Sequence, residues 1–103
     1  MDEVVVLFES QVDPAAEPGL VDAFLENSSG PLPEGMIEMR LLHDASVSGR
    51  WAIESRWRDR EPMDRYRAAE DPRREVLAFR SVGAEPVASV YEVIRAEVPL
   101  PAD

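Results

Sequence analysis

Few side chains in this sequence can do chemistry, and the first constraint is which ones are missing. The chain has no Lys, Thr or Cys, and only a single His (His43), Asn (Asn27) and Gln (Gln11). Schiff-base chemistry needs a lysine amine and papain-type catalysis a thiolate, so both are excluded. Without Cys there is no disulfide and no sulfur-ligated zinc or iron–sulfur centre, and a metal would have to rest on carboxylates with one imidazole at most. No metal site is expected. For proton transfer there remains His43, of the residue type whose ordinary pKa of about 6.5 suits a base near neutrality. Asp44 follows it and is placed to orient the ring. Tyr66 adds a phenol that can donate a proton or steer a phenolate. His43 and Tyr66 are the candidate catalytic residues.

Tyr66 lies in the stretch "SRWRDREPMDRYRAAEDPRR", residues 55 to 74, which holds seven of the eleven arginines of a chain whose formal net charge is −10. Five acids are interleaved there (Asp59, Glu61, Asp64, Glu70 and Asp71). Glu61 and Arg65 form an i,i+4 pair of the favoured orientation, so most of the cluster reads as a solvated, ion-paired helix in which an exposed pair contributes only tenths of a kcal/mol. Outside the cluster there is no basic stripe, which excludes nucleic acid and disfavours an anionic membrane surface. Arg56 alternates onto the sheet face opposite Trp57. With Arg40 beside it, the guanidinium groups are expected to meet Glu38 and Glu54.

The elements that position these residues follow from periodicity. "EVVVLFESQV" (3–12) is β-branched, aromatic and too short for a helix, and so predicts a first strand. Asp13-Pro14 is a helix-start signal, and Leu20, Val21, Phe24 and Leu25 recur at helical spacing until "NSSGPLPEG", giving a helix over about residues 14–27. "MIEMRLLHDAS" (36–46) and "RWAIESRWR" (50–58) read as a hairpin. In its second arm Trp51, Ile53, Ser55 and Trp57 share one face, and Ala52, Glu54, Arg56 and Arg58 the other. Asp59 is expected to cap a second helix, with Pro62 in its first turn and Met63, Tyr66 and Ala69 or Glu70 along one stripe. That helix breaks at Asp71-Pro72 and resumes through Val76, Leu77 and Phe79 to a stop at Gly83. "PVASVYEVIRAEV" (86–98) is the last strand. Residues 1–98 form one domain, and 99–103 a flexible tail.

This order, β-α-β-β-α-β, predicts an α+β, ferredoxin-like fold with one four-stranded antiparallel sheet and both helices on one face. The first and last strands are apolar on both parities, so both sheet faces want cover. A second copy of the chain, sheet against sheet, is the simplest way to give it. No window approaches the roughly 20 apolar residues of a membrane span, and the acidic "MDEVVVLFES" does not resemble a secretory signal, so a cytoplasmic location is expected.

The quoted stretch also resembles a signature of the antibiotic biosynthesis monooxygenase family of dimeric α/β-barrel proteins, an aromatic-acidic motif after the third strand followed by a helix ending near "DPR". Trp57 stands at the Trp position and Glu61 at an acidic one. The resemblance implies a cofactor-independent monooxygenase or related ring-modifying enzyme acting on an aromatic or polyketide intermediate in antibiotic-type biosynthesis. Relatives also include cyclases, and the alternatives are a polyketide cyclase or isomerase without oxygen chemistry and a non-catalytic ligand-binding barrel that assists a partner enzyme. Haem-degrading relatives carry an Asn on the first strand and a His on the second helix; "VVVLFES" has no Asn and the helix carries Tyr66, so no cofactor is expected. Cofactor-free oxygenases of the family keep an Asn on the strand before the Trp, where this chain has Ile53. The substrate pocket is expected between helices and sheet, with Trp57, Trp51, Phe24 and Met63 as its binding residues.

Overall fold

The computed structural model describes residues 3–69 and 73–100. Its elements are β1 (Val4–Gln11), α1 (Glu17–Asn27), β2 (Met36–His43), β3 (Arg50–Trp57), α2 (Arg60–Ala69), α3 (Arg74–Arg80) and β4 (Val87–Glu92). The four strands form one antiparallel sheet in the order β2-β3-β1-β4. The expected ferredoxin-like arrangement is thus observed, with the second helix divided into α2 and α3. Glu70, the break expected at Asp71-Pro72 and tail residues 101–103 lie outside the described residues.

Alternation along the central strands decides which face the helices cover. Val4, Val6 and Phe8 of β1 pair with Trp57, Ser55 and Ile53 of β3, and all six are buried on the helix side. Against them pack Leu20 and Ala23 of α1, Met63 and Tyr66 of α2, and Ala78 and Phe79 of α3. Each fully buried large side chain contributes about 1.5–3 kcal/mol relative to exposure. The opposite face carries Val5, Leu7, Val87 and Tyr91 across β1 and β4, and no helix among the described residues lies on it; Val87 is 70% and Tyr91 52% exposed. Arg56 meets Glu3 and Glu38 on that face, at 3.2 and 2.9 Å, and Arg40 meets Glu54 at 2.6 Å. The expected carboxylates are therefore present, with Glu3 as an additional partner.

Local chemistry explains the boundaries. Asp13 accepts a hydrogen bond from the Ala15 amide at 2.9 Å, but the turn it caps, Pro14–Ala16, is a 3-10 turn, and α1 proper starts at Glu17. At the other end Asn27 and Ser28 donate to the Ala23 and Phe24 carbonyls, satisfying acceptors that the last helical turn leaves open. A bulge between Met36 and Glu38 resets the parity of β2, so Met36 and Met39 both face the helices. β4 stops at Glu92, short of the expected residue 98. Among the described residues its neighbour in the sheet is β1; Glu92 pairs with Val4, and beyond it the Val93 amide donates to the carbonyl of Glu3, the first described residue.

Gly35 and Gly49 are held at φ +87° and +78°, and a Cβ on Gly35 would collide with Pro62 of α2. Gly35→Ala should therefore lower stability by about 2–4 kcal/mol, combining left-handed strain with displacement of α2. Equilibrium urea unfolding measures this, and a loss below 1 kcal/mol would mean that the loop adapts freely.

Candidate functional site

Helices α2 and α3 meet over the sheet through two polar side chains. Tyr66, two turns into α2, is brought inward by the stripe that also buries Pro62 and Met63. Glu75 enters by the same logic on α3: with Ala78 and Phe79 it forms an i, i+3, i+4 set facing the core, and it is 2% exposed. The Tyr66 hydroxyl donates to Glu75 Oε1 at 2.7 Å. Behind the phenol stands Trp57, 1% exposed, its ring centroid 5.3 Å from that of Tyr66 and its Nε1 donating to Ser55 Oγ at 3.0 Å. Trp57 is thus a buried wall that fixes the tyrosine, with Met63 one turn away on α2.

Burial raises the Glu75 carboxyl above the ordinary range; the Tyr66 hydrogen bond and the charges of Arg73 and Arg74 oppose that shift without cancelling it. The Tyr66 phenol is pushed up as well, first by burial and then by the neighbouring Glu75 charge. Both shifts favour the protonated forms, so the pair holds on to its protons more strongly than the same groups in water.

The pair lies between two spaces. On the inner side Phe24, Asn27, Met39, Ile53, Arg74, Glu75 and Ala78 border a narrow, mostly apolar crevice with no room for a water-sized molecule. On the outer side Pro31, Pro33, Glu34, Pro62, Arg65, Tyr66, Ala69 and Arg74 surround a vestibule of about 290 Å³. Arg74 borders both. Of the residues named from the sequence, Tyr66 borders the vestibule, Phe24 borders the crevice, and Trp57 and Met63 are buried in the core beside Tyr66.

It does not bring His43 or Trp51 there. Trp57 pairs with Val4 and Trp51 with Ser10, which puts the two tryptophans at opposite ends of the sheet, roughly 20 Å apart along β3. His43 stacks on Trp51 with ring centroids 4.5 Å apart, and its side chain is 45% exposed. Asp44 does not orient it, because its Oδ1 accepts from the Ser46 and Val47 amides and closes the β2–β3 turn. The carboxylate near His43 is Glu17, 3.7 Å from Nε2, which also accepts from Trp51 Nε1 at 2.7 Å. His43, Trp51, Glu9 and Arg50 border a separate surface depression of about 250 Å³.

The arginine cluster resolves into surface ion pairs. Glu34 receives both Arg58 and Arg65, at 3.4 and 2.9 Å, and Arg65 also meets Glu61 at 2.8 Å. Glu75 is the residue that sequence reasoning missed. The signal was an acid in register with Ala78 and Phe79, where the helical stripe calls for an apolar side chain.

Residues 3–75 match the sequence model of the family described as antibiotic biosynthesis monooxygenase. No curated protein sequence matches the chain. Among solved structures, a candidate antibiotic biosynthesis monooxygenase from Deinococcus radiodurans is similar at 14% identity and a TM-score of 0.74, over 95% of this chain and 99% of that one. SnoaB, a cofactor-independent oxygenase from Streptomyces nogalater, is similar at 17% identity and a TM-score of 0.64, over 99% and 100%. A candidate antibiotic biosynthesis monooxygenase from Bordetella bronchiseptica shares 11% identity with a TM-score of 0.73, over 92% and 100%. At these identities the structural likeness is one of fold.

The raised Glu75 carboxyl has a signature in stability. Between the ordinary carboxylate pKa and its own, the native state binds more protons than the unfolded chain, so the contribution of Glu75 to stability falls as pH rises through that window. Glu75→Gln keeps an acceptor for Tyr66 and does not titrate. Its unfolding midpoint should gain on the wild type as pH rises above the ordinary carboxylate range; a difference independent of pH would mean an unshifted carboxyl.

Proposed function

Because the chain belongs to the antibiotic biosynthesis monooxygenase family, we propose that it is a cofactor-independent monooxygenase acting on an aromatic or polyketide-type small molecule in specialised biosynthesis. The observation that carries this reading is the Tyr66–Glu75 pair, set beside Trp57 with Tyr66 at the wall of the vestibule. In such chemistry the substrate, deprotonated to an electron-rich anion, itself reduces dioxygen. The protein supplies shape, exclusion of water and a few polar groups. A chain without Lys or Cys can meet that demand.

Size narrows the binding mode. Pockets for drug-sized ligands run to about 300–1,000 Å³, and the vestibule, at about 290 Å³, lies at the foot of that range, whereas the crevice beside Glu75 admits nothing the size of a water. An aromatic substrate is therefore assigned to the vestibule, against Tyr66, with Trp57 behind the phenol. Tyr66 is the phenol we assign to the site, whereas His43 and Trp51, beyond the reach of that vestibule, are left out of catalysis. Cyclisation or isomerisation without oxygen is the second reading, and the buried carboxyl favours it equally, since both reactions begin with loss of a proton.

The uncovered sheet face, with Val5, Leu7, Val87 and Tyr91, supports a homodimer formed sheet against sheet. No described helix is long and apolar enough to cross a membrane, and we place the enzyme in the cytoplasm.

Oxygen uptake with anthrone, with no metal or flavin added, tests the oxygenase reading. The wild type should consume oxygen and form the quinone, Trp57→Ala should lose about 10-fold or more through misplacement of Tyr66, and His43→Ala should be unchanged. Product formed without oxygen consumption would replace the oxygenase by a cyclase or isomerase, and no altered product at all would leave a binding protein. For the assembly, light scattering should give twice the chain mass for the wild type and the monomer mass for Leu7→Arg; a wild-type monomer would refute the dimer.

A further inference from the structure

We propose that the vestibule binds an aromatic carboxylate, with the carboxylate on the Arg74 guanidinium and the ring against the prolines and Tyr66. The proposal rests on the reading of the vestibule as the substrate site, and it narrows the substrate from an aromatic molecule in general to an aromatic acid.

Three observations carry it. The first is that Arg74 stands apart from the arginines around it. Arg58 and Arg65 meet Glu34 at 3.4 and 2.9 Å, Arg65 also meets Glu61 at 2.8 Å, and Arg60 meets Asp64 at 3.7 Å. Arg73 lies over the Phe8 ring, 5.0 Å from its centroid. Arg74 is half-buried, yet among the described residues no carboxylate lies within ion-pair distance of it and its guanidinium makes no hydrogen bond. Glu75, next to it in the chain, gives Oε1 to Tyr66 and meets Arg74 only as a nearby charge. A guanidinium that has shed part of its hydration without a counter-ion is an energetic loss, which a bound anion recovers.

The second observation is where that charge is reached. Among the described residues no buried side-chain nitrogen or oxygen lacks a hydrogen-bond partner, so the guanidinium nitrogens of Arg74 are open to solvent. Of the two spaces that Arg74 borders, the crevice has no room for water and the vestibule, at about 290 Å³, has.

The third is the rest of the wall. Its charged members are Glu34, Arg65 and Arg74, and Glu34 is already taken by Arg65 and Arg58, whose hydrogen bonds hold its carboxyl below the ordinary range. A local positive excess remains, in a chain whose formal net charge is −10. Pro31, Pro33 and Pro62 add apolar surface on backbone of fixed φ, which loses little freedom when a flat ring settles on it. A guanidinium is a planar fork that takes both oxygens of a carboxylate in parallel hydrogen bonds, whereas a phenolate offers one oxygen. With the acid on Arg74 and the ring on the prolines, the substrate has two anchors, which fixes the edge that it turns to Tyr66.

Calorimetric titration of the full chain with 2-naphthoate and with its neutral isostere 2-naphthamide tests this. The wild type should bind the naphthoate about 10-fold or more tightly than the amide, the factor that a charge-assisted pair contributes. Arg74→Gln should bring the two ligands within about 2-fold of each other by loss of naphthoate affinity, and Arg74→Lys should keep only part of the preference, as a charge without the fork. Arg67→Gln removes the same charge from an exposed position on α2 outside the vestibule and should keep the wild-type preference. Amide NMR shifts on adding naphthoate should centre on Glu34, Arg65 and Ala69. A preference that survives Arg74→Gln, or shifts that centre on His43 and Trp51, overturns the proposal. Equal binding of the two ligands by the wild type overturns it as well, but leaves the vestibule as a site for neutral rings and the proposed function standing. If neither ligand binds, the aromatic acid and the vestibule as substrate site fall together. Should Arg74→Gln fail to fold, Arg74→Lys decides, and an unchanged preference there overturns the proposal.

Discussion

A carboxyl that has lost its water must find a partner inside the protein, and much of this structure is arranged around that requirement. Glu75 meets it with a hydrogen bond from Tyr66 that spans two helices, and with one from its own backbone. For Tyr66 to arrive there, α2 must start just after β3, lay Pro62 and Met63 on the sheet and present the phenol two turns later. For the ring to stay, Trp57 must fill the space behind it, which in turn requires Ser55 to occupy the indole N–H. Ser55 is fully buried in an otherwise apolar layer, and its hydroxyl serves that role. The chain of dependence runs from a strand residue, through an indole and a phenol, to a carboxyl on the last helix.

How much of this could be read from the letters differs from residue to residue. Strands with two-residue alternation, such as β3 with Trp51, Ile53, Ser55 and Trp57 on one side, declare their faces, and the loops around them are marked by Gly, Pro and Asp whose turn chemistry is local. The element order, and with it the ferredoxin-like fold, was legible for that reason. The end of β4 was not, because the sequence stays strand-like to residue 98 while the ladder among the described residues ends where Glu92 meets Val4. The site shows the same division. Phe24, Met63, Tyr66 and Trp57 announce themselves as apolar or aromatic members of a stripe. Glu75 was hidden, since a charged letter on a short helix ordinarily means solvent, and its burial depends on a partner nine positions away. His43 stood out by rarity, which is a property of composition and carries no information about position.

The arginines show a similar contrast between appearance and role. Glu34 gathers Arg58 and Arg65 from either side of the β3–α2 junction, tying the proline-bearing loop to the helix above it. Exposed pairs of this kind add little stability. Their effect is geometric, in that the loop carrying Pro31 and Pro33 and the start of α2 share one anchor, and both border the vestibule.

The open sheet face has two unlike halves. Over β1 and β4 it is apolar, with Val5, Leu7, Val87 and Tyr91, and over β2 and β3 it is ionic, with Arg56 held by Glu3 and Glu38 and Arg40 by Glu54. A surface divided in this way restricts how it can mate with itself. Under two-fold symmetry each residue near the rotation axis meets its own counterpart, so an axis passing through the apolar half sets Leu7 against Leu7. An axis through the ionic half would bring Arg56 against Arg56 and leave the aliphatic strip in water. The boundary between β1 and β3 would thus act as a ruler for the axis of the proposed homodimer, limiting where two such sheets can meet.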